Sequence, residues 1–146
     1  MDQKLYINSI YPATEGEGIH IGQPQVFVRF QGCHVGCVNC DSMDTWKFEE
    51  TSLKSLNDTL EEIFTFKPIL RASITGGDPL HPKNTPGVKL LTEYLKKAGY
   101  WVNIEAAGTR VDEEIFHAVD FISFDIKTPS TGVRFSKRPL EQVLSQ

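Results

Sequence analysis

The 146-residue chain has only three cysteines, and that scarcity is the first constraint on it. Three thiols cannot close a four-thiolate structural site, and an odd number leaves one over from any disulfide framework. Charge of one sign is also lacking: 15 Lys and Arg stand against 19 Asp and Glu, a net charge of −4. This balance argues against a nucleic-acid-binding or anionic-membrane surface. No hydrophobic run reaches the length of a membrane span, and Met1-Asp2-Gln3-Lys4-Leu5 carries no apolar leader core. Repeats, low-complexity tracts and linkers are missing as well, so the chain reads as one cytoplasmic domain over residues 1–146.

What is present is concentrated. Cys33, Cys37 and Cys40 fall in one stretch, spaced C-x3-C-x2-C, directly after the apolar run Val26-Phe27-Val28-Arg29-Phe30. A cluster this tight suggests metal ligation. Three thiolates around an iron–sulfur cubane would leave one iron open to bind and activate a ligand. Competing readings are a Cys3His zinc site completed by His34 or His20, a disulfide with one free thiol, or three unrelated buried cysteines.

The flanking pattern predicts alternating strands and helices. Strands are expected at Leu5–Ile10, Val26–Phe30, Ile69–Thr75, Tyr100–Glu105 and Phe121–Ile126. Helices are expected from Thr51 or Ser52, with Leu53, Leu56, Leu60 and Ile63 as an apolar stripe, and from the Thr85-Pro86 cap through Leu91, Tyr94 and Leu95. A short third helix spans about 112–118, and a helical turn is expected near Leu140–Leu144. The order predicts an α/β fold with a parallel sheet of four strands whose last member lies at an open edge. Arg29, alone in an apolar strand, calls for an anionic partner or ligand. The cysteine loop, Gly76-Gly77-Asp78, the segment from Glu105 to Thr109 and Asp125-Ile126-Lys127 each follow a strand's C-terminal end. That is the rim on which α/β barrels and open α/β sheets build sites.

The cysteine spacing resembles that of the radical S-adenosylmethionine superfamily. Within it, Glu15-Gly16-Glu17-Gly18, Phe27 to Cys33, Cys40-Asp41-Ser42 with Thr45-Trp46, Thr75 to Pro79, Glu105-x-x-Gly108-Thr109 and Ser123-x-Asp125-Ile126-Lys127 resemble the 7-carboxy-7-deazaguanine synthases. The resemblance implies a partial, incomplete TIM-like barrel. It implies a lyase that converts 6-carboxy-5,6,7,8-tetrahydropterin to 7-carboxy-7-deazaguanine with loss of ammonia, in queuosine and deazapurine biosynthesis. The implied cofactors are a [4Fe–4S] cluster on Cys33, Cys37 and Cys40, S-adenosylmethionine, and Mg²⁺ on Ser42. Gly76, Gly77, Asp78, Glu105 and Ser123 would meet the S-adenosylmethionine, and Thr14, Glu15, Gly16, Arg29 and Thr75 the substrate, with Arg29 taking the substrate carboxylate. The implied partners are the pterin, a flavodoxin- or ferredoxin-type electron donor and a second copy in a homodimer.

Two positions depart from the family: Asn39 stands where an aromatic residue is usual, and Glu15 where glutamine is more frequent. The family continues past Asp125-Ile126-Lys127 with further strands, and the expectation is that this chain lacks them. Gly76-Gly77-Asp78-Pro79-Leu80-His81-Pro82 additionally resembles the activating enzymes of anaerobic ribonucleotide reductase. A non-catalytic metal-binding module is the alternative from a different class.

Overall fold

The computed structural model describes residues 3–32, 50–108, 110–125 and 138–145. Its centre is a six-stranded sheet: β1 (Lys4–Thr14), β2 (Pro24–Phe30), β3 (Leu53–Ser55), β4 (Arg71–Gly76), β5 (Trp101–Ala106) and β6 (Phe121–Phe124), in spatial order β3-β1-β2-β4-β5-β6. The pairs β2–β4, β4–β5 and β5–β6 are parallel, as the alternation of strands and helices predicts. The pairs β1–β2 and β1–β3 are antiparallel, so two antiparallel strands extend the four expected parallel ones to a sheet of six.

Helices α1 (Leu56–Phe64), α2 (Thr85–Lys97) and α3 (Glu113–Ala118) connect the parallel strands, and α4 (Arg138–Leu144) follows. The first helix starts later than its apolar spacing suggests. Leu53 belongs to β3, paired with Tyr6 and 40% exposed, and Ser55 is the true N-cap, its Oγ accepting from Asp58 N at 3.0 Å. On α2 the cap is Asn84 rather than Thr85, and Tyr94 is 46% exposed while Val88, Leu91 and Leu95 are buried.

One face of the sheet forms the core. Alternate residues Val26, Val28 and Phe30 of β2, Ala72 and Ile74 of β4, and Val102, Ile104 and Ala106 of β5 pack with Leu56, Leu60 and Ile63 of α1 and with Val88, Leu91 and Leu95 of α2. The twofold alternation of strand side chains sends their neighbours to the opposite face. Those neighbours include Gln25, Arg29, Ser73, Thr75, Asn103, Glu105 and Ser123, with the aromatic rings of Phe27, Trp101 and Phe121 among them. A strand set that is apolar on one side and hydrogen-bonding on the other leaves the second side for chemistry.

Candidate functional site

The polar face is knitted by side chains. Asn103 Nδ2 donates to Ser73 Oγ at 2.8 Å and Ser123 Oγ donates to Asn103 Oδ1 at 3.2 Å, a chain across β4, β5 and β6. Nearer the strand ends, Thr75 Oγ1 donates to Glu105 Oε2. Arg29 lies on the same face, one strand over and level with Thr75, and its Nη2 donates to Tyr11 Oη at 2.9 Å. Tyr11 in turn stacks on Phe27 with ring centroids 5.5 Å apart.

The loop between β1 and β2 folds onto this face. Glu15 is buried, its Oε2 accepting from Gln25 Nε2 at 2.7 Å and its Oε1 from Gly16 N at 3.0 Å and Glu17 N at 3.3 Å. Carboxylate oxygens of Glu15, Glu17 and Glu105 lie within 4.8 Å of one another. Burial raises the pKa of Glu105 most; the Thr75 hydroxyl opposes it, Glu17 and Glu15 add to it, and Arg29 opposes it. Three crowded carboxylates beside one arginine suit a ligand that carries a carboxylate at one end and N–H donors at the other.

The rim at the strand ends is built from backbone. Gly77 N donates to Phe30 O at 3.1 Å and Asp78 N to Gly32 O at 2.9 Å, so the turn after β4 is stitched to the segment that leads into the cysteine loop. Gly76 permits this: its φ is +130°, and a Cβ there would stand 2.3 Å from Phe30 O. The Asp78 side chain is buried in the turn, Oδ1 accepting from Leu80 N at 3.0 Å. Asn84 Nδ2 bridges Gln31 O at 3.2 Å and Asp78 O at 2.9 Å. The backbone that feeds Cys33 is thereby held before the loop begins. An equally close approach ties β5 to β6, since a Cβ on Gly108 would meet Asp125 O at 1.9 Å.

Among the residues singled out from the sequence, Glu15, Arg29, Thr75, Glu105 and Ser123 share the polar face, and Gly76, Gly77 and Asp78 form the rim. Thr14 is exposed at the far end of β1, paired with Pro24. Gly16 is exposed beside Glu15. Cys33, Cys37, Cys40 and Ser42, together with His34 and Asn39, lie outside the described residues. The His20 ring rests against Trp101 and Phe121, the first residues of β5 and β6, whereas the cysteines follow the C-terminal end of β2.

Sequence reasoning missed Tyr11, Gln25, Ser73 and Asn103. The last two carried a signal, the polar alternation within Arg71–Thr75 and Trp101–Glu105. Tyr11 and Gln25 reach the site only because the hairpin folds back. A separate cavity of about 590 Å³ between α2 and α3 is lined by Lys89, Lys96 and Lys97, each already paired with an acid.

Comparison with known proteins gives the family. The family described as "4Fe-4S single cluster domain" matches residues 14–122. A 7-carboxy-7-deazaguanine synthase of Aquifex aeolicus is 37% identical over 116 residues, covering 78% of this chain and 50% of the relative. One from Bacteroides thetaiotaomicron is 31% identical over 137 residues, covering 94% of this chain and 67% of the relative. The chain thus spans between half and about two thirds of the length of these curated relatives. The crystal structure of QueE from Escherichia coli superposes with a TM-score of 0.68 at 23% identity, covering 98% of this chain and 78% of that one. That likeness supports the open, mostly parallel sheet. By its match over residues 14–122 and its identity with these relatives, the chain belongs to the 4Fe-4S single cluster domain family and to the 7-carboxy-7-deazaguanine synthases.

Proposed function

We propose that the protein is a radical S-adenosylmethionine lyase that turns 6-carboxy-5,6,7,8-tetrahydropterin into 7-carboxy-7-deazaguanine with loss of ammonia. The observation that carries this reading is the polar face itself. It sets Arg29 level with Thr75 and Glu105 on neighbouring strands, beside the acidic group of Glu15, Glu17 and Glu105. Arg29 would take the substrate carboxylate in a charge-assisted pair. The carboxylates would take the N–H donors of the aminopyrimidine ring.

The donor set suits the cofactors. Cys33, Cys37 and Cys40 would hold a [4Fe–4S] cluster with one iron left open, at the end of a strand whose exit is tied to the Gly76–Asp78 turn. Gly76, Gly77 and Ser123 would contact S-adenosylmethionine, and Ser42 would offer an oxygen to Mg²⁺. When bound, cluster and S-adenosylmethionine would supply one-electron bond cleavage and hydrogen abstraction. This chain's residues would orient the pterin and exclude water from it. A flavodoxin- or ferredoxin-type protein would supply the electron, and a second copy would complete a homodimer.

Anaerobic reconstitution tests the reading. About four irons per chain are expected, with 5′-deoxyadenosine released under dithionite and the carboxypterin consumed. A colourless protein holding stoichiometric zinc would overturn it, and turnover of a protein glycine instead of the pterin would move it to the reductase activators. No helix among the described residues is long and apolar enough to cross a membrane.

A further inference from the structure

We propose that His20 is a positioning residue for the substrate: its ring clamps the β1–β2 loop onto the sheet and thereby sets where Glu15 and Glu17 stand. The inference rests on the pterin reading above. From Gly16 to Pro24 every residue is exposed except His20. Hydrophobicity alone would bury the isoleucines on either side, yet Ile19 is 82% and Ile21 66% exposed. The loop therefore gains no apolar anchor from them.

His20 takes that part. Its ring centroid lies 4.7 Å from that of Trp101 at 65° and 4.6 Å from that of Phe121 at 90°, an edge-on fit to two rings at once. Trp101 is braced in its turn, with the Arg71 guanidinium 3.7 Å from its ring centroid. His20 Nδ1 is buried and has no hydrogen-bond partner among the described residues, where ring packing holds it.

The loop's own hydrogen bonds carry the position of His20 to Glu15. Gln23 N donates to His20 O at 3.1 Å, Glu15 N to Gln23 O at 2.8 Å, and Gly22 N to Glu15 O at 2.8 Å. A shift of the ring must move the Glu15 backbone with it. Glu15 Oε1 then passes the shift to Gly16 and Glu17 through their amides.

The test uses His20→Ala and His20→Phe in the reconstituted protein. Hydrogen–deuterium exchange of residues 15–23, measured without substrate, should rise in His20→Ala and return toward wild type in His20→Phe, which restores a ring. The Kd for the carboxypterin should rise roughly tenfold in His20→Ala, as expected for two lost ring contacts, while the Kd for S-adenosylmethionine stays unchanged. Unchanged loop exchange, equal weakening of both ligands, or a loosened loop with undiminished pterin affinity would each overturn the positioning role. A wild-type protein that cleaves S-adenosylmethionine but takes no pterin would instead overturn the functional reading.

Discussion

Thr75 and Glu105, thirty positions apart in the chain, are joined side chain to side chain across β4 and β5. The bond fixes a half-buried carboxylate whose pKa is raised, first by desolvation. The folded protein therefore holds this proton more tightly than the unfolded chain does. Its contribution favours folding below the unfolded carboxylate pKa and is lost as pH rises through the higher folded value. Glu105→Gln should remove that decline. Thermal midpoints followed from acid to neutral pH should separate above the ordinary carboxylate range, with the variant the more stable; parallel curves would contradict the assignment.

Arg29 and Tyr11 separate charge from orientation. Losing one half of a desolvated charge pair costs about 2–5 kcal/mol, so Arg29→Ala should raise the KM for the carboxypterin more than tenfold. Tyr11→Phe keeps the charge and removes only the hydrogen bond that the guanidinium donates, worth about 1.5–3 kcal/mol for a bond to a charged group, and should raise it less than Arg29→Ala does. Release of 5′-deoxyadenosine without pterin should be little changed in either. An unchanged KM in Arg29→Ala would make the arginine structural.

Gly76→Ala should damage the fold as well as the site. The residue's φ is +130° and a Cβ would stand 2.4 Å from Phe30 N. Backbone strain alone costs about 1–3 kcal/mol, before the β2–β4 junction moves aside. Gly16→Ala is the control, because nothing lies within 4 Å of its added Cβ; its thermal midpoint should stay near wild type.

Ser55→Ala tests the corrected start of α1. Losing the cap to Asp58 N should cost about 1 kcal/mol, read by denaturant unfolding. The same change at Ser52 should cost far less, since that residue ends a 3-10 turn ahead of β3.

The parallel strands were legible because β2, β4 and β5 carry unbroken buried alternates, and a helix separates each of β4, β5 and β6 from the next. Leu53 misled because it stands three and seven residues before Leu56 and Leu60. Tertiary pairing with Tyr6 overrode that helical spacing. The expected first strand stops at Ile10, yet Tyr11 to Thr14 continue it and pair with Pro24 to Phe27. The β1–β3 pairing stops at Tyr6, so at Pro12 the other side of β1 meets no strand among the described residues. A missing N–H costs little on such an edge. Within the site, Arg29 announced itself as a charged interruption of an apolar strand, Glu105 as a strand-end residue, and Thr75 only through the family resemblance. Tyr11, Gln25 and His20 did not, because their roles depend on a hairpin folding back, which no local pattern encodes.

The hydrogen-bonded chain from Ser73 through Asn103 to Ser123 has a thermodynamic corollary. The polar groups of this chain satisfy one another within the sheet, so the centre of the face is held whether or not a ligand is present. Filling it exchanges water for ligand without ordering the core. Heat-capacity change is the marker of apolar burial, so calorimetry of pterin binding should find that quantity small and the enthalpy dominant.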